Sequence, residues 1–212
     1  MRRNLRYWSK FSLQNLLVPG LFLLIALALA VNWSADGPTD LTLLPGMVLA
    51  GMLFSFICFG CGIVVLYLPL LVSMGETRRN VLLGYHYYLA LSVVMGTALW
   101  AVMMWIAGAG EAILSGLVSV VAVQVLVAAA GSLIGIVYAR YKWVGVLMIA
   151  LLSGGTAGIF SFLVASRGRE GIALITGFLS PEGLWLLIAA AVLSAVEIAA
   201  AWFHFRRREV KL

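Results

Sequence analysis

The sequence predicts an all-α, polytopic membrane protein with six transmembrane helices and an N-terminal amphipathic interfacial helix. Three observations predict it. Six apolar stretches approach or exceed the roughly 20 residues a helix needs to cross about 30 Å of hydrocarbon. Hydrophobic residues make up 64% of the 212-residue chain and charged ones 10%, against about 45–50% and about 25% in soluble domains. The few charges gather in short runs between the apolar stretches.

The stretches are expected at 15–32, 46–73, 81–106, 112–138, 143–165 and 183–204, in one transmembrane domain covering 1–212. Runs such as Leu21 to Val31 are continuous rather than alternating. This excludes a lipid-facing barrel strand and favours helices, which satisfy their own backbone hydrogen bonds in lipid. The second stretch is long enough to tilt, or to bend near Pro69.

Before the first stretch, residues 2–14 interleave Arg2, Arg3, Arg6 and Lys10 with Leu5, Trp8, Phe11 and Leu13. That pattern suits a helix lying in the headgroup layer; a basic tail that only sets topology is the plainer alternative. The start also has the outline of a signal peptide ending near Ala28-Leu29-Ala30, but the long apolar run favours a retained span.

Orientation follows from the basic residues, which concentrate on the cytoplasmic side. Arg2, Arg3, Arg6, Lys10, Arg78, Arg79, Arg140, Lys142, Arg206, Arg207, Arg208 and Lys211 all fall on one side of the six-span layout. Only Arg167 and Arg169 fall on the other, with Asp36, Asp40, Glu111, Glu170 and Glu182. Both termini are therefore expected in the cytoplasm of a bacterial cell (inner or plasma) membrane. Trp33, Trp105, Trp143, Trp185 and Trp202 lie near span ends, where indole rings favour the interface. Charges placed this way explain the net charge of +6 without nucleic acid. The outer loop at about 166–182 contains an apolar patch, Ile172 to Leu179, too short to span. It suits a shallow re-entrant segment or an ordinary loop.

Few residues offer chemistry. Glu197 lies within the sixth stretch, where an ionisable group is costly and faces a bundle interior or water. It either lines a translocation path or bonds a neighbouring helix near the interface. Gln124 in the fourth stretch bonds across helices or lines a cavity. His86, beside Tyr85, Tyr87 and Tyr88, is expected in an interfacial aromatic belt, and His204 at an interface. Cys58 and Cys61 are expected to pack in an apolar helix with Gly60 and Gly62. Gly131 with Gly135, and Gly154 with Gly158, are spaced for close helix contact. No catalytic residue or metal-ligand set is identified, and no ATP-binding loop of the G-x-x-x-x-G-K-[ST] type is present.

The turn after the second stretch is the most informative segment: Met74-Gly75-Glu76-Thr77-Arg78-Arg79-Asn80-Val81-Leu82-Leu83-Gly84. Gly75 interrupts the apolar helix, Thr77 is placed to cap the next one, and Arg78 and Arg79 follow. As a positive-inside turn it only fixes topology; as a rigid knob it can dock on a soluble partner. The segment resembles the one after the second span of bacterial ABC-2-type permeases, the membrane subunits of one class of ABC exporter. The amphipathic entry helix, six spans, cytoplasmic ends and larger outer loop before the last span resemble that family too.

The resemblance implies a dimer with a second permease chain, the same or homologous, on two ABC ATP-binding subunits that hold the ATP and Mg; this chain needs no cofactor of its own. It implies that Gly75, Glu76, Thr77, Arg78, Arg79 and Asn80 form the coupling helix. It also points to the Gly60 and Gly154 regions at the dimer axis, and to export of an amphipathic substrate such as an antimicrobial or cytolytic peptide. Competing readings are the small six-span substrate-binding subunit of a vitamin importer, an intramembrane enzyme, and a non-transporting sensor or assembly protein.

Overall fold

The computed structural model describes residues 2–15, 43–73, 77–167 and 184–207, with isolated positions between 17 and 24. Among these there are helices and short connections, and no strand. They are α1 (Arg2–Asn15), α2 (Leu43–Gly62), a π-helical turn (Ile63–Tyr67), α3 (Leu68–Ser73), α4 (Arg78–Ile106), α5 (Ala112–Arg140), α6 (Lys142–Arg167) and α7 (Leu184–Arg207). Among the described residues, four spans are long and apolar enough to cross a membrane: Val48–Val72, Arg78–Ile106, Gly116–Arg140 and Leu187–His204. The expected first span falls almost wholly outside the described residues. The expected fifth lies within α6, with a shorter apolar stretch, Lys142–Leu152, among the described residues.

The second span, expected to tilt or to bend near Pro69, carries a π turn just ahead of that proline. Proline has no N–H to offer the carbonyl four residues back, and its ring crowds that carbonyl. The ladder shifts register first: the Leu68 N–H donates to the Ile63 carbonyl, five residues earlier.

α5 is the central rod, packed against α2, α4, α6 and α7. Its direction relative to each follows from facing residues. Gly131 meets Phe56 and Gly135 meets Cys61 and Val64, so α2 runs parallel to α5. Gly116 meets Trp100 and Gln124 meets Gly96, so α4 runs antiparallel. Ala122 clusters with Ala190, and Ala128 and Ala129 share a cavity wall with Ser194 and Glu197, so α7 is again parallel. Small residues let these backbones approach closely without a hydrophobic drive between helices in lipid. A Cβ at Gly131 would collide with the Phe56 carbonyl, and one at Gly135 would sit 2.9 Å from Val64 Cβ. A Cβ at Gly60 would be 3.3 Å from Gly131 and Ser132 backbone atoms. Gly60 is thus taken up inside the chain by α5. By contrast, a Cβ at Gly154 would meet nothing within 4 Å among the described residues; its partner in the motif, Gly158, has no described surroundings.

The connections are short where they are described. Gly108 adopts φ +75° in the turn from α4 to α5, a conformation costly for other residues. Tyr141 alone separates α5 from α6, and Gly145 packs flat on Tyr138 where any Cβ would clash.

α1 is amphipathic as expected. Trp8 and Ser12, one turn apart, are buried, while Tyr7, Lys10 and Leu13 are exposed. Trp8 packs edge-on to Tyr85 and tilted against Tyr88, and Phe11 tilts against Tyr88 at 5.5 Å. A hydrogen bond of 3.2 Å joins Ser9 Oγ and the Tyr87 hydroxyl. α1 is therefore docked on the first turns of α4. That end of the bundle also carries Arg78, Arg79, Arg140 and Lys142, and α7 runs toward it.

Candidate functional sites

Two places collect the polar residues. The first is the start of α4. Thr77 has extended backbone geometry and caps the helix: its Oγ1 accepts from the Asn80 N–H at 3.4 Å, and its carbonyl accepts from Val81 at 3.0 Å. This cap is the one the sequence suggests, because a hydroxyl at that position satisfies an otherwise orphaned N–H. Thr77 and Arg79 are exposed, while Arg78 and Asn80 are half-buried. Gly75 and Glu76 lie outside the described residues. α3 and α4 pack against one another beside this turn, and α1 lies against the next turns of α4.

The second is a groove of about 330 Å³ between α4, α5 and α7. Leu89 and Val93 of α4 and Val125 of α5 give it apolar walls; His86, Ser194 and Glu197 supply its polar groups. Glu197 is 2% exposed. Its Oε2 lies 3.8 Å from His86 Nδ1, and its Oε1 has no hydrogen-bond partner among the described residues. Behind the groove, the Tyr85 hydroxyl hydrogen-bonds Ser132, and Ser132 Oγ donates to the Ala128 carbonyl at 3.0 Å. A hydrogen bond thus joins Tyr85 of α4 to Ser132 of α5, and near it Glu197 of α7 faces His86 of α4.

Of the surroundings the sequence leaves open for Glu197, bundle interior or water, the structure shows it buried between helices. The sequence misses the places of His86 and Tyr85. His86 was expected in an interfacial aromatic belt, yet it faces the carboxylate of a helix at the far end of the chain. Tyr85 was assigned to the same belt and is fully buried. The only signal available was the concentration of polar aromatics at the start of α4, which does not say which neighbour they meet.

Gln124 does not join this cluster. It is 0% exposed and sits where α4 and α2 pack on α5. A Cβ at Gly96 would lie 2.8 Å from its Oε1 and 3.2 Å from Met52 Sδ. Neither amide atom has a hydrogen-bond partner among the described residues. Cys58 is half-buried and Cys61 buried, both as free thiols. Among the described residues no three His, Cys, Asp or Glu side chains converge as a metal site would require.

Compared with protein-family models, curated proteins and solved structures, the chain matches none.

Proposed function

We propose that this chain is the permease subunit of an ATP-driven ABC exporter of the ABC-2 type, moving an amphipathic substrate, such as an antimicrobial or cytolytic peptide, out of the cell. It works as a dimer with a second permease chain, on two ATP-binding subunits that bring ATP and Mg. Residues Gly75 to Asn80 are the seat for those subunits at the cytoplasmic face of a bacterial plasma membrane.

The observation that supports this reading best is the build of the start of α4. A capped helix N-terminus presents Arg79 to solvent, tight against α3, with α1 docked on the following turns. A push on such a turn reaches two rods at once, because α2 and α4 both pack on α5. The π turn supplies a point where the first of those rods can yield, since π turns interrupt the regular ladder. The apolar interior, with few charges in the spans, suits an amphipathic substrate better than a hydrophilic one.

The test is copurification of ABC ATP-binding subunits from the cells that express the chain, for wild type and for the double substitution Arg78→Glu with Arg79→Glu. The expected result is a wild-type complex that the double variant loses while still inserting and folding. A wild type that retains no ATPase overturns the assignment, and the vitamin-importer and sensor readings then take its place.

A further inference from the structure

We propose that the groove between α4, α5 and α7 is an intramembrane binding site for an apolar primary or secondary amine, whose ammonium group pairs with Glu197. The proposal does not depend on an ATP-binding partner.

A carboxylate taken out of water is costly unless a cation and hydrogen bonds compensate it. Glu197 is nearly fully buried, and Oε1 has no hydrogen-bond partner among the described residues. His86 approaches only Oε2, at 3.8 Å, which is beyond a normal hydrogen bond. The protein therefore leaves one carboxylate oxygen without a partner among the described residues, on a side chain that lines the groove and that a turn about its last bond can present to a ligand there. An ammonium with two or three N–H donors supplies both the charge and the missing hydrogen bond. Ser194 lines the same groove.

The rest of the cavity selects what the amine carries. Leu89, Val93 and Val125 offer no hydrogen bonds, so the body of the ligand is apolar. A cavity of about 330 Å³ falls at the small end of ligand pockets, which fits a phenylalkylamine rather than a peptide. Ala90 and Ile198, at the rim, are exposed, as is neighbouring Val94. The mouth thus opens on the apolar flank of the bundle, near the end where α4 begins, and a membrane-dissolved amine enters sideways. An anionic ligand would meet Glu197 with like charge, and a neutral one would leave the carboxylate uncompensated.

The test uses the full chain in lipid nanodiscs without any ATPase, with binding of 4-phenylbutylamine followed by saturation-transfer NMR against empty nanodiscs. 4-Phenylbutanol and 4-phenylbutyrate are the neutral and anionic comparisons. Saturable amine binding is expected, with affinity about tenfold or more above the alcohol and the acid, the loss set by one charged hydrogen bond. Glu197→Gln should lose a similar factor. Ala90→Phe, which keeps Glu197 and narrows the mouth from an exposed position, should weaken binding by a similar factor or more. Equal binding of amine and alcohol, or wild-type affinity in both variants, overturns the proposal, as does amine uptake no greater than that of empty nanodiscs. Because no ATPase is present, failure here is separate from failure of the exporter reading.

Discussion

Ser132 has one hydroxyl proton, which it donates to the Ala128 carbonyl, so the Tyr85 hydroxyl acts as donor to its oxygen. Interhelical hydrogen bonds in membrane proteins average about 0.6 kcal/mol and reach about 1.7 kcal/mol. Tyr85→Phe and Ser132→Ala should each lower the thermal unfolding temperature in detergent, and together cost less than their sum, with a coupling in that range. Strict additivity would mean the two hydroxyls do not meet. Gln124 argues the other way. A buried amide without partners costs roughly 1–3 kcal/mol, so Gln124→Met, of similar volume, should raise the unfolding temperature. A fall instead would reveal a partner for the amide. These two sites mark how far sequence reaches at this scale. A glutamate inside an apolar run stands out by composition alone. That Glu197 faces His86 does not, because that contact depends on α7 running parallel to α5 and antiparallel to α4, and no local pattern encodes it.

Helix existence and extent were largely legible for α4, α5 and α7, since long apolar runs bounded by charges leave the backbone no other way to satisfy itself in lipid. The amphipathic helix α1 was legible too, through the spacing of Trp8 and Phe11 against the basic residues. The glycine pairs were not distinguishable from one another. Gly131 and Gly135 carry the α2–α5 contact, while Gly154 has nothing against it among the described residues. Gly131→Leu should therefore prevent close approach of α2 and α5; overpacking alone costs about 1–3 kcal/mol, and here the clash is with backbone. Gly154→Leu should leave the unfolding temperature of the isolated chain unchanged. A heat-aggregation series on fluorescent fusions separates the two. Equal damage from both would place an unseen neighbour on Gly154. The docking of α1 rests on Trp8, which is 0% exposed. Trp8→Ala removes its contacts with Tyr85 and Tyr88, and trypsin should then cleave after exposed Lys10 faster than in the wild type, while the rest of the chain keeps its melting point.

Across the whole molecule, helix directions and charge agree. α2, α5 and α7 run toward the end where α4 and α6 begin, and α1 is docked at that end. Arg78, Arg79, Arg140, Lys142 and the last turn of α7 with Arg206 and Arg207 gather there. Lys and Arg near span ends set orientation, so this end should face the cytoplasm, and the turn containing Gly108 and Glu111 should face out. The two exposed positions Thr77 and Glu111 lie at opposite ends of α4, and a cysteine at each reads the orientation directly. Cys58 and Cys61 are first replaced by alanine, so that Thr77→Cys or Glu111→Cys carries the sole thiol. A membrane-impermeant maleimide applied to intact cells should label Glu111→Cys, and label Thr77→Cys only after permeabilisation. The reverse pattern would put the basic end outside, where no cytoplasmic ATPase can reach Arg79, and would remove the exporter reading along with the expected topology. Labelling of both in intact cells would mean that α4 does not cross the membrane, and the four-span core itself would have to be redrawn.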